Sequence, residues 1–171
     1  MQFEELRFVC QEAATDIATR EQPVRPHVVL PGKDRTRLLA LPTFPDDDEE
    51  RHELLLRLAA DELVEGNVPC WGFVSSAELA EGGDVVVVVY GARKHAPHLT
   101  AAVMMEGGEL DEFLPAEELD PTAMPYLHPL QHAVDALPAI DTPSDGVSGV
   151  RGTDKDPLAG GFAGLPIIGQ S

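Results

Sequence analysis

Five consecutive valines, Val85 to Val89, followed by Tyr90, most constrain what this chain can fold into. Side chains alternate between the two faces of a β-strand, so a run apolar at every position must be covered on both sides. The run therefore predicts a central strand. It passes directly into Arg93, Lys94, His95, Ala96, Pro97 and His98. These are the one cluster of basic and imidazole groups in a chain of net charge -18.

The rest of the chain supplies partners for that strand. Phe3, Leu6, Cys10, Ala13 and Ile17 recur at helical spacing, which predicts an amphipathic helix over Phe3 to Thr19 that Pro23 and Pro26 terminate. His27 to Leu30 and Thr36 to Leu41 flank a polar turn at Gly32 to Asp34 and read as a hairpin. Pro45 to Glu50 puts carboxylates at a helix N-terminus, where the dipole favours them. Leu54, Leu55, Leu58, Ala59 and Leu63 continue that helix towards Gly66-Asn67. A calcium loop is a poor reading of the acids, because consecutive carboxylates diverge around a helix. Cys70 to Ser75 and Leu99 to Met105 read as two more strands beside the valine run.

This order predicts an α+β domain over residues 1–138: a mainly antiparallel sheet of about five strands, with two principal helices on one face. Such a plan leaves the second face of the valine strand bare, so the C-terminal region or a second copy is expected to cover it. Tyr126 to Leu137 reads as one short helix. Residues 139–171 form a Pro/Gly-rich tail, expected to be flexible alone or docked on a partner. Its apolar end, Phe162, Leu165, Ile167 and Ile168, is a candidate partner-binding anchor.

Thirty acidic residues against twelve basic ones repel phosphate backbones and anionic lipid, which argues against nucleic-acid and membrane partners. Nine arginines against three lysines and sixteen valines against four isoleucines fit a high-GC genome and a salt-rich cytoplasm. No apolar run approaches the roughly 20 residues of a bilayer span. The N-terminal residues lack a secretory pattern, and Cys10 and Cys70 form no Cys-x-x-Cys pair, so a cytoplasmic protein with buried free thiols is expected.

Candidate chemistry is sparse. His95-x-x-His98 and His128-x-x-x-His132 are two spaced pairs that together could hold zinc or another divalent transition metal, as a metal-dependent enzyme would require. Pro129 weakens this, because it occupies the glutamate position of a zinc-protease helix and pushes His128 to the helix start. Arg93 and Lys94 are candidate partner-binding residues, with Arg93 expected to pair with the acidic start of the second helix or with an anionic ligand. Cys70 beside a histidine would be a thiol site, although its strand setting reads as core. Ser75-Ser76 lacks the Gly-x-Ser-x-Gly elbow, and neither Gly82-Gly83 nor Gly107-Gly108 opens a helix as a phosphate loop does.

No cofactor is expected, and no constellation fixes a reaction. The leading expectation is a non-enzymatic structural or protein-interaction protein: a homo-oligomer or a subunit of a viral or cellular complex, with the tail as anchor. A metal-dependent enzyme and an acidic DNA mimic are the alternatives.

Overall fold

In the computed structural model, which describes residues 2–21, 23–32 and 34–138, the valine run lies in the middle of a six-stranded sheet. The chain forms helix α1 (Phe3–Arg20), strands β1 (His27–Pro31) and β2 (Thr36–Ala40), helix α2 (Asp48–Leu58) and a π-helical turn, Ala59–Val64. Strands β3 (Cys70–Glu78), β4 (Asp84–Ala92), β5 (His95–Val103) and β6 (Glu117–Glu118) follow, and then helix α3 (His128–Ala136). The strand order is β2-β1-β3-β4-β5-β6, with every neighbouring pair antiparallel. The α+β class and the mainly antiparallel sheet expected from the sequence are therefore present, with one strand more than expected and with α3 inside the span Tyr126 to Leu137 expected to form a short helix.

The placement of the helices differs from the one-face expectation. Val86, Val88 and Tyr90 pack with Leu6, Cys10, Ala14 and Ile17 of α1. Val87 and Val89 turn the other way, towards Leu55, Ala59 and Leu63 of the α2 segment and Leu130 and Val134 of α3. Helices thus cover both faces, and the chain itself supplies the second cover. Burying a valine side chain fully contributes about 1.5–3 kcal/mol, so a strand apolar on both sides gains twice from this arrangement.

Local chemistry sets the helix boundaries. At the start of α1, Glu5 Oε1 accepts from the Gln2 backbone N–H at 2.7 Å, a capping box with glutamine in the leading position. Asp47 caps α2, its Oδ2 accepting from Glu50 N–H at 3.0 Å, and Asp48, Glu49 and Glu50 fill the first turn. The acidic run thus serves the helix dipole. Arg51 gathers behind it, its guanidinium 4.7 Å from the Phe44 ring centre and 5.1 Å from that of Tyr126.

The basic and histidine segment Arg93 to His98 is mostly strand. Only Arg93 and Lys94 separate Ala92 from its cross-strand partner His95, and Lys94 adopts φ +67° to close the turn. Residues 139–171, with the anchor candidates Phe162, Leu165, Ile167 and Ile168, lie outside the described residues. No helix among the described residues is long and apolar enough to cross a membrane.

Candidate functional site

The two histidine pairs fall on opposite sides of the sheet. Tyr90 pairs with His98 across β4 and β5, and both rings lie on the α1 face. The Phe3 ring holds them there, with His95 stacked on it at 4.7 Å and His98 edge-on at 5.2 Å. His98 Nδ1 donates to the Ala96 carbonyl at 3.0 Å. His128 and His132 are exposed on α3, against the other face, and His128 Nε2 donates to the Pro121 carbonyl at 3.1 Å. Among the described residues no three His, Cys, Asp or Glu side chains gather as a metal site requires. The four-histidine arrangement is not formed, because the sheet stands between its halves.

Arg93 takes a different partner from the acidic start of α2. Its Nε donates to the Leu137 carbonyl at 2.8 Å, capping the end of α3, while its backbone N–H donates to the Pro69 carbonyl at 2.9 Å. Lys94 is tied by its backbone, its N–H donating to Asp135 Oδ1 at 2.7 Å. Gln131 completes this clasp between α3 and the β4–β5 turn. Its Nε2 donates to the Ala92 carbonyl at 2.9 Å and to Asp135 Oδ1 at 3.0 Å, and its Oε1 accepts from Trp71 Nε1 at 3.0 Å. The Arg93 side chain and the Lys94 backbone thereby hold α3 to the turn, while the Lys94 side chain stays exposed.

Cys70 and His95 do share a small cavity of about 210 Å³, together with Gln2, Phe3, Leu6 and Arg93. Burial raises the Cys70 thiol to about 11 and raises Cys10 further, Cys10 being pushed additionally by its neighbour Cys70. Both are free thiols. A thiol raised in this way stays protonated near neutral pH, and the thiolate is the nucleophile, so the cavity holds no activated sulfur.

A different feature emerges at the sheet margin. On one margin the β5 edge is covered: Asp111, Leu114 and Leu119 donate backbone N–H groups to the carbonyls of Val103, Ala101 and Pro97 at 2.8–2.9 Å. Beyond it, among the described residues, stands only the two-residue, doubly charged β6. The opposite margin is β2. Leu41 N–H bonds to the Pro26 carbonyl at 2.8 Å and Gly32 N–H to the Arg35 carbonyl at 3.0 Å, which fixes the phase of the β1–β2 ladder. Bonded pairs alternate in an antiparallel ladder, so Arg37 and Leu39 turn inward to β1. Thr36, Leu38 and Ala40 turn their N–H and C=O groups outward, and no described residue pairs with them.

The open edge borders a groove. On the α1 side, Val9, Glu12, Ala13 and Asp16 face Thr36 and Leu38 across an open space of about 640 Å³. Leu38 lies opposite Val29 of β1 and so points to this side, whereas Arg37 lies opposite Leu30 and reaches Glu62 on the other at 2.8 Å. The sequence identified the hairpin strand. It carried no mark of an outer position, since the sheet order depends on where the chain returns after α2.

No family model, no curated protein and no solved structure matches this chain.

Proposed function

We propose that this is a non-enzymatic, cytoplasmic protein-interaction subunit that joins a partner or assembly through the open edge of its sheet, with residues 139–171 as a second attachment. The observation carrying this reading is the row of backbone groups on Thr36, Leu38 and Ala40 that no described residue pairs with, beside a groove and on the one margin the described residues leave uncovered. An edge strand in regular register and without proline is a template for strand addition. Arg93 and His128 are engaged in structural contacts and burial holds the Cys70 thiol protonated, which supports an interaction role over a catalytic one.

The test is chemical cross-linking in extract of the producing cell, comparing three forms: the full chain, the same chain carrying Ala40→Pro, and a chain ending at residue 138. Ala40→Pro removes an outward donor without touching the bonded pairs of the β1–β2 ladder, so the fold is kept, as a thermal melt will show. Each change is expected to deplete the cross-linked species. Identical cross-linking by all three forms would refute the proposal.

A further inference from the structure

We infer that the strand accepted by β2 is a basic one: an extended segment of another protein in which lysine or arginine alternates with apolar residues. The inference rests on the interaction reading above and adds the chemistry of the partner. A strand laid along Thr36, Leu38 and Ala40 sends alternate side chains into the α1 groove and the others to the opposite face. The two sides differ in charge.

In the groove, Glu12 and Asp16 are one helical turn apart and face the same space. Asp16 is paired with Arg20 at 2.8 Å, while Glu12 has no ion-pair partner among the described residues. Below them Val9, Ala13 and Leu38 form an apolar floor. A lysine or arginine fits this cross-section: its methylene stem lies on the floor and its charged head reaches the carboxylates. On the opposite face Glu62 already neutralises Arg37, and Leu39 is the exposed-edge neighbour, which suits an apolar side chain. The net charge of -18 acts in the same direction, drawing a cationic segment in and opposing a second copy.

Two other occupants lack the matching charge. A second copy paired through its own β2 would put Thr36, Leu38 and Ala40 into the groove, none of them cationic. The apolar segment Phe162 to Ile168 of the same chain also carries no cation.

The test uses the full chain with two labelled hexapeptides, Lys-Val-Lys-Val-Lys-Val and Glu-Val-Glu-Val-Glu-Val, read by fluorescence polarisation and by amide hydrogen exchange. The lysine peptide is expected to bind and to slow exchange at Thr36, Leu38 and Ala40, and the glutamate peptide is not. Glu12→Gln together with Asp16→Asn should weaken binding about three- to tenfold, as the loss of two exposed charge pairs implies, whereas Glu81→Gln in the β3–β4 turn should leave it unchanged. Lysine-peptide binding that protects other amides, or that survives the double change, overturns the inference. Protection of the three β2 amides without peptide would overturn it too while leaving the interaction reading standing, with a second copy as occupant if protection grows with protein concentration and the chain's own segment if it does not. Glutamate-peptide protection of the same amides would likewise remove the basic partner and keep the open edge. Exchange that stays fast under every condition removes the edge itself as a docking site.

Discussion

The indole Nε1 of Trp71 donates a 3.0 Å hydrogen bond to Oε1 of Gln131, joining β3 to α3 across sixty residues of chain. Trp71 is fully buried, and a tryptophan in that position requires a partner for its one polar atom. Gln131 answers that need and uses its amide nitrogen on Ala92 and Asp135, so a single side chain ties together the sheet, the β4–β5 turn and α3. This explains why the helix lies where it does over the valine strand. The apolar residues Leu130 and Val134 drive its burial, and Gln131 fixes its position along the sheet.

Replacing Gln131 by leucine keeps the approximate volume and leaves the indole N–H and the Ala92 carbonyl without this partner. The expected loss is about 1–3 kcal/mol, the cost of stranding a buried polar group. Denaturant unfolding followed by Trp71 fluorescence measures it directly. A loss below about 0.5 kcal/mol would mean that water or another group takes the place of Gln131.

Gly91 is required by the same junction. A Cβ at this position would stand 2.8 Å from two atoms of the Trp71 ring and would also press on Gln131 Oε1. Neither neighbour has room to retreat, because the ring is enclosed and the amide is bonded. Gly91→Ala is therefore expected to destabilise by about 1–3 kcal/mol, as overpacking does, and to alter the near-ultraviolet circular dichroism of the tryptophan.

Arg93 should behave as a structural residue. Arg93→Gln removes the donor that caps the Leu137 carbonyl and is expected to cost about 1 kcal/mol. Binding of a cationic peptide at β2 should be unaffected, since Arg93 lies at the turn after β4 and not at the β2 margin. A large change in peptide affinity with unchanged stability would reverse this assignment.

The legibility of the chain followed the range of the interactions. Helix α1, the β1–β2 hairpin and the valine strand could be read because their signals are local: helical spacing from Phe3, paired apolar runs around Gly32, and an unbroken apolar strand. The demand for cover on both faces was also legible, but not its source. Periodicity shows which side of a helix is apolar, not which side of a sheet it will meet. For the same reason His95 to His98 and His128 to His132 looked combinable, although they lie on opposite faces of the sheet. The clasp could have been sought from Trp71, whose indole N–H needs an acceptor, but the sequence did not distinguish Gln131 from any other polar residue.

The buried thiols give the protein a stability limit on the alkaline side. In the unfolded chain Cys70 ionises at its ordinary 9.0, whereas in the fold burial raises it to about 11. Between those values the unfolded state has lost the proton that the native state keeps, so stability falls with rising pH. The contribution is complete below about pH 9 and is lost as pH passes through 11. For Cys70 alone the interval corresponds to roughly 3 kcal/mol, and Cys10, raised further, extends the decline beyond it. Burial raises Tyr90 and Tyr126 as well, which adds to the slope at the upper end. Denaturant midpoints measured under reducing conditions from pH 8 to 11 should fall steadily above pH 9. Cys70→Ala should flatten that fall by roughly the Cys70 share while lowering stability modestly at pH 8 through lost packing. An alkaline profile unchanged by this substitution would place the pH dependence on the tyrosines.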